Sequence, residues 1–214
     1  MSYGLALHTV SPQLGLAISN FASPSRCQTW DLGQAMSTHL HQHLVEFLSP
    51  QAWSDVAWLA AAKGPGSFTG TRIGMVTART LAAQLRVPLF SVSSLAAIAF
   101  DRLSQDTGSS DRAIAVQMPA TGGLLFTGIY RLSPDRDLVA ELDDTVQSPE
   151  AWQHFRDRRS TSDLARPDLL VEVEAGALLG TFAPSILELA HRRWKQGESP
   201  HWSQALPFYG QQPV

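Results

Sequence analysis

The chain has 214 residues, 44% hydrophobic and 16% charged, with a formal net charge of −3, so it can bury one large or two small cores and carries no overall basic field. Nucleic acid, if it is involved, must meet a local patch or a partner's surface. A single cysteine, Cys27, excludes an internal disulfide framework, Met1–His8 has no basic region followed by an apolar core, and no apolar run approaches the ~18 residues of a membrane span, so the expectation is a soluble cytoplasmic protein.

Tyr3–His8 and Leu14–Ser19 read as strands joined by the turn Ser11-Pro12-Gln13, and Cys27–Leu32 completes a three-stranded meander. Such an opening is common to the actin-like ATPase fold, in which an acidic residue at the end of the first strand helps hold a metal. His8 stands there, and a neutral imidazole does not replace a carboxylate on magnesium. Ser37–Leu48 has the period of an amphipathic helix, with Ser37 or Thr38 as N-cap, Leu40, Leu44, Val45, Phe47 and Leu48 on its apolar side, and Pro50 beyond its end. His39 and His43 lie four apart on it, but without a His-Glu-x-x-His arrangement or a third ligand they read as an exposed or interface face rather than a metal site.

Asp55–Ala62 is a short apolar run of buried-strand type. It runs into the glycine-dense turn Lys63-Gly64-Pro65-Gly66-Ser67-Phe68-Thr69-Gly70 and then a helix from about Thr69 to Leu85. Strand, glycine loop and helix N-terminus are the usual arrangement for holding an anion, which makes Gly64, Gly66, Ser67, Thr69 and Gly70 candidate anion-binding residues. The spacing fits neither the P-loop, which needs Gly-Lys-Ser/Thr, nor the dinucleotide fingerprint, so the same glycines equally serve a tight turn with close backbone packing. Along the helix, Gly74, Ala78 and Ala82 form a row of small side chains that admits a close neighbour. Arg72, Arg79 and Arg86 recur at seven-residue spacing on the other side, a basic stripe suited to an anion from a neighbour, a partner or a ligand.

Val87–Val92 reads as a further strand, followed by a helix capped by Ser93 or Ser94 and running to about Leu103. Ser104–Asp111 has linker character and places a boundary between an N-terminal lobe, 1–107, and a smaller C-terminal lobe, 108–214. Strands are expected over Ala113–Met118, Leu124–Leu132, Leu138–Val146 and Leu169–Val173, with helices over Pro149–Arg158 and Pro184–Trp194. Two successive sheet-then-helix halves imply a duplicated α/β architecture.

The run Gly64–Gly74, continuing through Ala78-Arg79-Thr80-Leu81-Ala82 and Val87–Leu95, resembles the TsaB (YeaZ) family, which helps make threonylcarbamoyladenosine on tRNA. Weaker echoes are His39 and the tail Trp202–Tyr209. The resemblance implies a two-lobed actin-like fold (ASKHA, ribonuclease H-like) of mixed sheets flanked by helices. It also implies a non-catalytic partner of the paralogue TsaD, which transfers the threonylcarbamoyl group to adenosine next to the anticodon. TsaD's two metal-binding histidines fall on this chain at Ser94 and Ile98, which do not make a metal site.

On this reading the chain has no catalytic or metal-ligating residue. Its partner interface is Leu40, Leu44, Leu48, Gly74, Met75, Ala78, Arg79 and Ala82. It binds no cofactor tightly; ATP serves the pathway, with a nucleotide at the boundary with partners. TsaD binds directly, TsaE through the assembled complex and tRNA indirectly, and two copies pair when TsaD is absent. Leu7-His8-Thr9-Val10 replaces the family's Leu-Asp-Thr-Ser, Pro119-Ala120-Thr121 its Asp-Ala-Arg, and Tyr209-Gly210-Gln211 its Tyr-Leu-Arg, which argues against nucleotide or metal held by this chain alone. The alternative is a stand-alone actin-like ATPase or kinase using the Gly64–Gly70 loop on phosphate.

Overall fold

The computed structural model describes residues 2–105, 112–159 and 169–210. In chain order the first elements are β1 Tyr3–His8, β2 Gln13–Ser19, β3 Arg26–Asp31, α1 Met36–Leu48, β4 Val56–Ala62, α2 Phe68–Leu85 and β5 Leu89–Val92. They are followed by α3 Ser94–Gln105, β6 Ala113–Pro119, β7 Leu125–Leu132, β8 Leu138–Gln147, α4 Pro149–Arg159, β9 Leu169–Glu172 and α5 Ala183–Lys195.

Two compact units result, Met1–Ser94 with Gly176–Phe208, and Leu95–Ala175 with Tyr209–Val214. The boundary expected between residues 107 and 108 lies outside the described residues. The expected contiguous C-terminal lobe differs from the division in space, because α5 and the segment through Phe208 belong with the first unit. The physical reason is a sheet with two apolar faces. Both faces of β1, β2 and β4 are buried, so helices are needed on each side.

The first unit's sheet has the order β3-β2-β1-β4-β5. β1, β2 and β3 pair antiparallel as the meander predicts, while β1–β4 and β4–β5 are parallel. On one face Leu5, Leu7, Leu14 and Leu16 form a core with Leu40, Leu44 and Leu48 of α1 and Met75, Ala78 and Ala82 of α2. On the other face Gly4 leaves room for Trp58, whose ring atoms would lie 2.1 Å from a Cβ at position 4. The Trp58 ring stacks on His191 of α5 at 6.3 Å, and His191 stacks on Phe21 at 3.4 Å. Ile186, Leu187 and Ala190 of α5 are buried in turn.

The second unit holds a four-stranded sheet, β8-β7-β6-β9, antiparallel except for β6–β9. Ala113, Ala115 and Ile129 pack with Trp152 of α4, whose indole N–H donates to Gln117 Oε1 at 2.7 Å.

The expected N-cap of α1 is corrected. A 3-10 turn, Gly33–Ala35, leads into Met36, and Ala35 occupies the cap without a side-chain hydrogen bond. The loop amides of Leu32 and Gly33 already donate to Pro12 O at 3.1 and 2.8 Å, so the chain enters the helix earlier than a serine cap would allow. Its C-terminus is closed from a distance. The Arg26 guanidinium on β3 donates to Ser49 O at 2.8 Å, to Leu48 O at 3.2 Å and to Phe47 O, and lies 4.9 Å over the Phe47 ring. A cation on the last carbonyls of a helix satisfies orphan acceptors and favours the dipole. Replacing Arg26 with Ala is expected to lower unfolding free energy by about 2 kcal/mol, with Lys restoring less than half, as measured by urea denaturation.

Candidate functional site

The glycine loop is shaped by the end of β1. Thr9 Oγ1 donates to Gly70 O at 2.8 Å, and Ser67 N–H donates to Val10 O at 2.7 Å. A Cβ at position 70 would sit 2.1 Å from Thr9 O, one at 74 would sit 2.0 Å from Thr9 Oγ1, and one at 66 would sit 2.4 Å from Val10 O. Gly64, at φ +96°, has its α-carbon beneath the Phe208 carbonyl, and its own carbonyl accepts from Ser94 N–H at 2.9 Å. These glycines therefore let α2 rest backbone to backbone on β1.

That arrangement corrects much of the anion-cradle expectation. Ser67 caps α2 by accepting from Gly70 N–H at 3.2 Å, so the Ser67 and Gly70 amides are both committed within the protein. Thr69 is exposed. It lies on a groove of about 430 Å³ with Ser11, Gln34, Ser37, Ser67 and Ile73, and no side chain lining that groove is ionisable. Hydroxyls and an amide offer hydrogen bonds there, but no lysine for a phosphate and no carboxylate for magnesium.

His8 is fully buried, and among the described residues neither ring nitrogen has a hydrogen-bond partner. Burial holds its imidazole down at about 3, so the ring is neutral. Ser94 and Ile98 are buried as well. Among the described residues no group of three His, Cys, Asp or Glu side chains is placed to hold a metal. His39 is exposed, whereas His43 is half-buried and stacks on Trp30 at 4.6 Å, an apolar contact that accounts for its position.

The residues expected at a partner interface fall on the wrong side of their helices. Leu40, Leu44, Leu48, Met75, Ala78 and Ala82 are between 0% and 3% exposed, and Gly74 is buried on Thr9. The small-residue row meets this chain's own sheet, because a sheet strand approaches as closely as a helix would. Of that set only Arg79 reaches the surface, half-buried with its guanidinium 5.9 Å over the Trp202 ring. What these helices expose is Val45 at 61%, Val76 at 54% and Phe68 at 47%, together with Arg72. Val45 was expected among the apolar positions facing inward; at 100° per residue it lies beside the buried stripe rather than on it. Val76 was legible only as an apolar residue interrupting the arginine stripe.

A five-stranded mixed sheet opening in an antiparallel meander, with parallel connections through α1 and α2 and helices on both faces, defines an actin-like fold. The solved structure of YeaZ from Pseudomonas aeruginosa superposes with a TM-score of 0.74 at 24% identity, covering 98% of this chain and 100% of that one. A second structure, an uncharacterized protein with similarity to peptidase YEAZ from Pseudomonas aeruginosa, gives 0.76 at 24% identity over 99% of this chain and 100% of that one. In sequence, residues 42–133 match the family described as TsaD, tRNA N6-adenosine threonylcarbamoyltransferase. The tRNA threonylcarbamoyladenosine biosynthesis protein TsaB of Bacillus subtilis is 38% identical over 84 residues, which are 39% of this chain and 33% of that protein. The TsaB of Escherichia coli is 28% identical over 167 residues, 73% of this chain and 71% of that protein. The match thus spans about a third of the Bacillus relative's length and more of the Escherichia one. In sequence the chain is similar to TsaB proteins and to the TsaD family over part of its length, and its fold is that of YeaZ.

Two outcomes follow from the geometry around β1. Gly70→Ala places a methyl against a backbone carbonyl that no rotamer can move, and is expected to cost about 2 kcal/mol or more in equilibrium unfolding despite alanine's better helix propensity. For His8 the unfolded chain takes up a proton as pH falls through 6.5, while the folded chain does not until about 3. Its contribution to stability is therefore complete above 6.5 and declines below it. Between pH 7.5 and pH 5 the unfolding free energy of His8→Leu should gain roughly 2 kcal/mol on wild type.

Proposed function

We propose that this chain is the non-catalytic partner of TsaD in threonylcarbamoyl transfer to adenosine next to the tRNA anticodon, acting in the cytoplasm through the outward faces of α1 and α2. The observation that carries this reading is the exposure of Val45, Phe68 and Val76 on two helices whose inner faces are fully engaged with the sheet. Large apolar side chains about half or more exposed on helices that cover one sheet face favour a protein partner. The neutral groove, the buried neutral His8 and the replacement of TsaD's metal-binding positions by Ser94 and Ile98 support a role without chemistry. The relatives named for threonylcarbamoyladenosine biosynthesis supply the pathway.

On this reading the chain needs no tightly bound cofactor of its own. ATP enters through the pathway, at the boundary with partners. TsaE joins through the assembled complex, tRNA is met indirectly, and two copies pair through the same faces when TsaD is absent.

The test is reconstitution of tRNA modification from purified TsaD and the other pathway proteins with and without this chain. Modification should depend on it, and yield indifferent to its presence overturns the proposal. Val76→Asp is expected to lower retention on TsaD at least ~10-fold without shifting the unfolding midpoint, because the side chain is exposed. Ala78→Trp, by contrast, overpacks the core and is expected to unfold the chain.

A further inference from the structure

The exposed side of α2 carries a pattern finer than a patch. Arg72, Val76, Arg79, Ala83 and Arg86 follow one another at intervals of four, three, four and three. On a helix of 3.6 residues per turn they fall within about 60° of one line, about 21 Å long. This is the spacing by which one helix presents a seam to another. Arg72, Val76 and Arg86 are exposed and Arg79 and Ala83 half-buried, so the seam runs along one side of the outward face, beside the exposed Thr69, Thr80 and Gln84. Arg86 closes the helix in the left-handed region at φ 57°, its N–H donating to Ala82 O.

The charge on this seam has no local counterweight. Between Asp55 and Asp101 the only charged residues are Lys63, Arg72, Arg79 and Arg86. The only acidic residue of α1, Glu46, accepts from Gln42 at 2.9 Å and lies 3.8 Å from His43. Among the described residues no carboxylate lies within 4.0 Å of the three arginines.

We propose that the α2 seam is matched to a partner helix that carries carboxylates at the same seven-residue spacing, and that its arginines weaken pairing of the seam with a second copy of this chain. The inference rests on the reading above that TsaD is the partner. A two-fold pair brings the same patch onto itself. Antiparallel with the two-fold axis at Arg79, the register that overlaps the whole seam, Arg79 meets Arg79 and Arg72 meets Arg86; parallel, each arginine meets its own copy. Either way guanidinium faces guanidinium, an arrangement that penalises the wrong pairing. A carboxylate on the partner instead accepts the planar fork in two parallel hydrogen bonds. The alternating Val76 and Ala83 favour a protein helix over a nucleic-acid backbone, because a helix buries them whereas a phosphate backbone leaves them wet.

The consequence is a pair of salt dependences of opposite sign. Full-length chain is titrated with purified TsaD, and its self-association is measured by sedimentation, from about 50 mM to about 500 mM KCl, a range over which exposed charges become screened. TsaD binding should weaken by about tenfold or more as salt rises, while self-association strengthens. Arg72→Gln with Arg86→Gln, leaving Arg79 on Trp202, should lower TsaD affinity about tenfold, raise self-association several-fold and flatten both salt slopes. TsaD binding indifferent to salt and to the double substitution overturns the inference and leaves the proposed function standing. Wild-type chain that fails to bind TsaD at any salt overturns both. Loss of tRNA from the complex with TsaD affinity unchanged assigns the stripe to RNA and also overturns it. The salt titration of the wild-type chain decides the matter even if the double variant does not fold.

Discussion

The first unit depends on one contact, the seating of the α2 N-terminus on Thr9 and Val10. Positions 66 and 70 meet the Val10 and Thr9 carbonyls and position 74 the Thr9 side chain because all three lack a Cβ, and the Thr9 hydroxyl and Val10 carbonyl bind the chain across the gap. Moving α2 outward by a methyl group would also lift Met75, Ala78 and Ala82 off the sheet. Those residues close the core from one side, so the loop and the helix packing form one device.

The same contact bears on function. Amides that a phosphate-binding loop would direct at a ligand are used here on Val10 and on the Ser67 hydroxyl. The nearby groove offers neutral hydrogen-bonding groups without charge, and His8 brings a buried neutral ring to the end of the first strand. A nucleotide-fold turn is retained as a mechanical support. The outward side of the same helix displays Arg72, Val76 and Arg86.

The second constraint is the two-sided sheet. Leu5 and Leu7 face α1 and α2, while Gly4 and the Trp58 ring face α5. That requirement returns the end of the chain to the first unit and makes the spatial units discontinuous in sequence.

Strand and helix identities were legible in the sequence because periodicity reports burial locally: the meander, the crossover helix and the strands of the second sheet stand where alternation and apolar runs place them. The resemblance carried by Gly64–Gly74 was legible too, since it continues through Ala78–Ala82 and Val87–Leu95, a run of a length and type that a bare glycine loop lacks. Which neighbour the Gly74-Ala78-Ala82 row meets was not. A row of small side chains records that something approaches closely, and a sheet of the same chain leaves the same mark as a partner's helix. The start of α1 was misread for a related reason, because the Pro12 carbonyl that takes up the preceding amides is distant in sequence. Composition and spacing thus determined the elements and the arginine stripe, and the Gly64–Gly74 run carried the resemblance. Only the tertiary structure decided that the small-residue face is interior and that Arg72, Val76 and Arg86 are exposed, because a helix cannot bury both sides against a single sheet.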